Sequence, residues 1–203
     1  MLLRLSSGTK IAVSPFFFWE SKQTGLLRIR SGGVFHPTHV TTRLCLELLE
    51  HTRQSHPCRS LLDVGCGSGI LALAGAWLGV PVTVGLDIDP RAVRISRENA
   101  RSNRLDQQSH WFTGTLCAVR RRFDCVVANL PYEVICNVLD QVLECLAPEG
   151  RLILSGFQDI QWHTIADQLA RRGKQILDTR SGDLSFYGVP PSGSFTWMGV
   201  LVG

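Results

Sequence analysis

The sequence predicts an α/β fold, a parallel sheet covered by helices on both faces, and two observations carry that expectation. Residues 61–69 read Leu-Leu-Asp-Val-Gly-Cys-Gly-Ser-Gly: an apolar strand ending beside an acid, glycines on alternate positions, then a helical stretch over 70–78. From there to about residue 172, short apolar runs alternate with amphipathic ones. Strand–helix alternation builds parallel sheets, because each crossover lays its helix against a face.

Taken in order, residues 1–33 form an N-terminal arm ahead of a domain over 34–203. The arm carries Phe16-Phe17-Phe18-Trp19, an aromatic run that needs cover, and ends in the hinge Ser31-Gly32-Gly33. Its simplest arrangement is packed on its own domain. Thr41 or Thr42 caps a helix whose Leu44, Leu46, Leu48 and Leu49 face inward. His36 and His39 precede it with no cysteine or carboxylate pair at ligand spacing, so they read as loop residues and no metal is expected. The glycine turn follows. A strand turning at once into a helix visits backbone angles that a Cβ forbids, and a bare backbone lets a guest approach the positive end of the helix. Residues 81–87 are the second strand, and Asp89-Pro90 supplies a cap and a first-turn proline for a helix to about Asn103. Further strands are expected at 109–116, 123–128 and 151–156, with helices at 134–146 and 160–172. The turn Pro148-Glu149-Gly150 stops the first of those helices. Strands at 174–179 and 195–202 close the chain, joined by a loop holding Pro190-Pro191-Ser192-Gly193.

Composition narrows the classes. At 203 residues and 44% apolar content the chain suits one cored domain, with or without an appendage. No run approaches the ~18–20 apolar residues of a membrane span, and the apolar start, broken by Ser14-Pro15, lacks the marks of a signal peptide. Seven cysteines, an odd number with no C-x-x-C pair, read as thiols in a reducing cytoplasm. The net charge of +4 is almost all arginine, since only Lys10, Lys22 and Lys174 are lysines. It permits an RNA-associated substrate without arguing for one, and Arg120-Arg121-Arg122 reads as a solvated loop.

The glycines separate two kinds of nucleotide site. A dinucleotide fingerprint needs glycine at the sixth position of G-x-G-x-x-G, which here is Ile70. Asp63 followed by Gly65, Gly67 and Gly69 instead resembles motif I of the class I methyltransferases, which bind S-adenosylmethionine. That resemblance implies a Rossmann-like sheet of seven strands, mostly parallel, with an antiparallel final strand. Asp87, ending the second strand, is placed to accept hydrogen bonds from both ribose hydroxyls, with Ile88 against the adenine. Many class I enzymes hold the adenine amino group with an acid after the third strand; here Gly114-Thr115 stands there, leaving Thr115 or the backbone to do so.

Asn129-Leu130-Pro131-Tyr132 resembles the N-P-P-Y signature of amino methyltransferases, in the form seen in ribosomal RNA adenine dimethyltransferases. The resemblance implies that the Asn129 side-chain oxygen and the Leu130 carbonyl accept the N–H bonds of the acceptor nitrogen. Tyr132 then stacks on a planar substrate.

Six segments, at 38–47, 62–74, 84–93, 97–100, 123–129 and 150–156, together resemble the PrmA family, whose members methylate amino groups of a large-subunit ribosomal protein. The likeness covers about residues 34–203 and implies Thr42, Gly65, Asp87 and Asn129 as cofactor contacts, with Thr38 counted beside them. Two departures stand out. The family has a separate N-terminal recognition domain where this chain has 33 residues, and it usually continues Asn-Ile-Leu where this chain has Asn129-Leu130-Pro131. The expectation is a cytoplasmic S-adenosylmethionine-dependent N-methyltransferase acting on a protein amino or amide nitrogen. Its rivals are an adenine N-methyltransferase acting on RNA or DNA and a catalytically silent cofactor-binding subunit.

Overall fold

The computed structural model describes residues 1–14, 25–33, 37–184 and 193–203. Three short strands come first, β1 (Leu2–Arg4), β2 (Lys10–Ser14) and β3 (Leu26–Arg30), followed by helix α1 (Val40–Ser55). Then β4 (Ser60–Val64), α2 (Ile70–Trp77), β5 (Val82–Asp87), α3 (Pro90–Ser102), β6 (Ser109–Thr113) and β7 (Phe123–Asn129) alternate. The chain closes with α4 (Tyr132–Glu144), β8 (Leu146–Gln158), α5 (Trp162–Arg171), β9 (Ile176–Asp183) and β10 (Thr196–Val202).

The main sheet has seven strands in the order β6-β5-β4-β7-β8-β10-β9. Neighbours from β6 to β8 pair in parallel, whereas β10 runs antiparallel to both β8 and β9. Alternation along each strand divides the core in two. Leu61, Cys125, Val127 and Ile153 face α1 and α2, while Leu62, Val126, Leu152 and Leu154 face α4 and α5. The strand order reverses direction at β4: β5 and β6 lie on one side, β7 and β8 on the other. Such a switch point opens a crevice at the carboxyl ends of the strands.

Helix α1 buries Leu44, Leu46, Leu48 and Leu49 completely, so truncating any one to alanine costs about 2–5 kcal/mol. Its cap is neither Thr41 nor Thr42. His39 takes that position, its Nδ1 accepting from the Thr41 N–H at 3.3 Å, because the two threonines already have helical backbone and are buried. Asp89 caps α3 as expected, accepting from the Arg91 N–H.

Ahead of α1, the described residues hold more structure than an arm. β2 pairs antiparallel with β1 and parallel with β3, and Leu3, Ile11, Val13, Leu27 and Ile29 join the core that α1 and α2 build. The core returns polar anchors. The Glu50 carboxylate accepts from the Ser6 and Ser7 N–H groups at 2.9 and 2.8 Å. Asn99 on α3 and Asn103 at its C-cap pair with the backbone of Arg30 and Arg28 as a neighbouring strand would. Single-sequence patterns miss this, since strands of three and five residues carry little periodicity. The run at 16–19, His36 and most of the loop at 190–193 lie outside the described residues.

Other boundaries moved for local reasons. The third strand stops at Thr113, because Leu116–Ala118 turns into a 3-10 segment. The expected turn at Pro148-Glu149-Gly150 survives as a bulge within β8: Phe123 pairs with Leu146, but Cys125 pairs with Arg151.

Candidate active site

A cavity of about 1140 Å³ opens at the carboxyl ends of β4, β5 and β7, where the switch point predicts a ligand. One wall is the glycine turn. Gly65, Gly67 and Gly69 all have positive φ, at 70°, 54° and 78°, so each needs the freedom that only glycine has cheaply. Their duties differ. A Cβ at Gly67 would point into open space, one at Gly65 would strike the Leu130 side chain, and one at Gly69 would strike Trp111 and Ser96. Gly67 therefore bares the backbone to the cavity, while Gly69 permits close packing behind it.

The turn is fixed by hydrogen bonds on every side. The N–H groups of Gly65 and Cys66 both donate to the Leu86 carbonyl, at 2.9 and 3.0 Å. Ser96 Oγ donates to the Gly67 carbonyl at 3.1 Å, and Asn99 Nδ2 to the Ser68 carbonyl at 2.8 Å. Asp63 lies beneath. Its Oδ2 accepts from the Ala72 N–H in the first turn of α2 at 3.0 Å, and complete burial pushes its pKa up to about 7. Asp63 and Gly69 thus hold the wall from behind and do not line the cavity, a correction to their expected role as contacts.

Asp87 does face the cavity. Its Oδ2 accepts from the Gly67 N–H at 2.9 Å and its Oδ1 from the Asp89 N–H at 2.9 Å. Each carboxylate oxygen has acceptor capacity for two partners, so both keep room for one more donor. Asp87 thus offers two free acceptor positions to the cavity. Ile88, 76% exposed, projects at the rim beside it, and Thr115 and Leu116 complete that side.

Opposite stand Asn129, Leu130, Pro131 and Tyr132. Asn129 Nδ2 donates to Thr42 Oγ1 at 3.3 Å, which orients the amide and leaves its oxygen for a guest. The Leu130 N–H donates to the Ser155 carbonyl at 3.0 Å, extending the β7–β8 ladder one residue past Asn129. Beneath it Gly156 has φ +106°, and a Cβ there would overlap the Leu130 carbonyl. Glycine is required at 156 so that this peptide can sit down on β8. Pro131 then caps α4, which Tyr132 opens.

The structure revises the expected set on the α1 side. Thr42 is buried behind Asn129, and Thr38 lies off the cavity; His39 and Thr41 line it instead. The His39 ring meets Trp197 edge-on, centroids 5.0 Å apart. Trp197, Gln158 and Gln161 also line the wall and had no sequence signal, because β10 reaches the site only through antiparallel pairing with β8.

A family model described as ribosomal protein L11 methyltransferase (PrmA) matches residues 8–182. The chain belongs to the PrmA family. A ribosomal protein L11 methyltransferase from Syntrophotalea carbinolica is 36% identical over 180 residues, covering 87% of this chain and 59% of that protein. Its counterpart from Pelobacter propionicus is 42% identical over 135 residues, covering 64% of this chain and 44% of the other. The chain thus spans about half the length of these PrmA relatives. Among solved structures, a ribosomal protein L11 methylase from Lactobacillus delbrueckii subsp. bulgaricus matches with a TM-score of 0.79 and 26% identity, over 100% of this chain and 97% of that one. An S-adenosylmethionine-dependent methyltransferase from Thiobacillus denitrificans, solved with S-adenosyl-L-homocysteine, shares the fold at 10% identity, with a TM-score of 0.63 over 78% of this chain and 90% of the other.

Proposed function

We propose that this PrmA-family chain is an S-adenosylmethionine-dependent N-methyltransferase acting on an amino or amide nitrogen of a ribosomal protein in the cytoplasm. One observation carries the reading. Asp87, with both oxygens aligned by backbone N–H groups, faces Asn129-Leu130-Pro131-Tyr132 across a single cavity. At about 1140 Å³ that cavity exceeds the ~300–1,000 Å³ of ordinary small-molecule sites, leaving room for a cofactor and an acceptor side chain together.

The residues fit the cofactor by type. Asp87 takes the ribose hydroxyls, the bare backbone of Gly65 and Gly67 admits the amino-acid portion, and Ile88 with Leu116 covers the base. Thr115, which lines the same side of the cavity, would offer its hydroxyl to the edge of the base. Bound there, S-adenosylmethionine supplies a methyl group already activated on a sulfonium, so the protein's task is alignment. Asn129 Oδ1 and the Leu130 carbonyl hold the acceptor N–H groups and point the nitrogen lone pair across the cavity. An amine must arrive neutral, and the apolar walls at Leu130, Trp197 and Val138 favour loss of its proton by disfavouring the charged form.

The test is transfer of label from methyl-labelled S-adenosylmethionine to cell extract, followed by nuclease or protease. Label that survives nuclease, disappears with protease and runs with a ribosomal protein is the expected result. Label released by nuclease would turn the Asn129 site into an adenine site. Cofactor binding without transfer would mark a silent subunit.

A further inference from the structure

Four carboxylate and guanidinium side chains line the active-site cavity: Asp87, Asp89, Arg91 and Glu133. Three are already engaged. Asp87 accepts from the Gly67 and Asp89 N–H groups, and Asp89 pairs with Arg91 at 2.8 Å. Glu133 is exposed and forms no ion pair among the described residues. It stands in the first turn of α4, where a carboxylate also favours the positive end of the helix. That is a contribution to stability, and it is separable from a contribution to binding.

The surroundings of this free carboxylate are apolar. Leu130, Val134, Val138 and Trp197 line the same cavity, and Val134 and Ile88 stay exposed at its rim. A carboxylate beside an apolar wall is complementary to an alkyl chain that ends in a cation, whose stem lies on the wall while its head meets the charge. A side-chain amide or a neutral nucleobase brings no such head. The chain as a whole carries +4, which repels a cationic guest. Salt screens charges beyond about 8 Å under physiological conditions, so a carboxylate at the mouth outweighs distant arginines.

We propose that Glu133 is a specificity-determining residue that captures the acceptor's ammonium group at the mouth of the cavity, ahead of methyl transfer. The proposal rests on the N-methyltransferase reading above and adds a residue to it. Glu133 does not hold the nitrogen during transfer itself. A nearby carboxylate favours the charged form of an amine, and a protonated nitrogen has no lone pair to offer. Capture and transfer therefore occupy different places. The ammonium is held at Glu133, gives its proton to water, and moves on as the neutral amine to Asn129 Oδ1 and the Leu130 carbonyl. Removing the carboxylate weakens capture and leaves the chemical step alone.

The experiment measures kcat and KM with RNA-free large-subunit ribosomal protein as acceptor. It compares wild type with Glu133→Gln, Glu133→Asp and Glu144→Gln, the last removing an exposed acid from the far end of α4. Glu133→Gln should raise KM about fivefold, the upper scale of an exposed ion pair, with kcat within about twofold and KM less sensitive to salt. Glu133→Asp should recover most of that loss, Glu144→Gln should match wild type, and S-adenosylhomocysteine affinity should be unchanged throughout. A Glu133→Gln enzyme with unchanged KM and a lower melting temperature would reduce the residue to a helix stabiliser and overturn the proposal. So would a loss confined to kcat. A second readout needs no turnover: calorimetric titration of the S-adenosylhomocysteine complex with n-butylammonium, and with n-butanol as its uncharged counterpart. Butylammonium should bind wild type more tightly than Glu133→Gln, and butanol should not distinguish them. If wild type transfers no methyl group yet butylammonium depends on Glu133, the methyltransferase reading falls and the capture site stands. Butylammonium binding that ignores Glu133 removes the site whatever the turnover.

Discussion

The two halves of the cavity are built by different means. On the glycine side almost every polar group is bonded within the protein: Asp63 to α2, Asp87 to Gly67 and Asp89, and the turn's carbonyls to Ser96 and Asn99. On the Asn129 side the tetrapeptide is held by Asn129 Nδ2 on Thr42, the Leu130 N–H on the Ser155 carbonyl and the Ile135 N–H on the Pro131 carbonyl, and it rests on the space that Gly156 leaves. In the proposed function the first half, fixed by these internal bonds, receives the cofactor. The second half, the ledge, then receives the acceptor, and the exposed Ile88 and Val134 line the same cavity. A cofactor common to many enzymes suits the stiff half, and an acceptor that differs between them suits the other.

Four substitutions test that division, beginning with the largest effect. Asp63 is the price of the stiff half: its carboxyl pKa rises from 3.8 to about 7 through burial. The folded state then holds the proton more tightly than the unfolded one, so stability falls as pH rises from about 4 to about 7, by at most ~4 kcal/mol at 1.36 kcal/mol per unit. Asp63→Asn keeps an acceptor for the Ala72 N–H and should flatten that slope in urea titrations; a slope equal to wild type would remove Asp63 as its cause. Asp87→Ala should weaken S-adenosylhomocysteine binding by about 100- to 1,000-fold in calorimetry, since it removes hydrogen bonds to a charged acceptor. Retained affinity would refute the ribose assignment.

Gly156→Ala attacks the ledge first, through the Leu130 peptide. The new Cβ must displace Leu130, and turnover should fall about 100-fold while S-adenosylhomocysteine affinity stays within about threefold. A matching loss of cofactor affinity would show the two halves to be mechanically one. Thr115→Val is the smallest change, expected to weaken cofactor binding by no more than about threefold, the scale of one exposed neutral hydrogen bond. A loss beyond about thirtyfold would make the hydroxyl a principal base contact.

The same contrast explains what the sequence disclosed. Glycines with positive φ, an acid ending a strand and an Asp-Pro helix start are local demands of backbone geometry, so the turn, Asp87 and α3 were legible residue by residue. Asn129-Leu130-Pro131-Tyr132 was legible as a pattern, but its support was not. Gly156, Trp197 and His39 come from strands and loops far apart in the chain, joined only by the β8–β10 pairing and the packing of α1. Asp63 and Gly69 were assigned to the cavity because sequence spacing does not say which side of a wall a residue occupies. The three-stranded sheet ahead of α1 depended on Glu50, Asn99 and Asn103, whose partners lie between 43 and 75 residues away.

Asn129→Ala tests the central claim most directly, with turnover and S-adenosylhomocysteine affinity measured on one preparation. The division of labour predicts turnover reduced by about 100-fold or more, as for removal of a catalytic hydrogen-bonding group, with affinity changed by no more than about threefold. Turnover that persists, or affinity that collapses with it, would contradict the assignment of Asn129 to the acceptor.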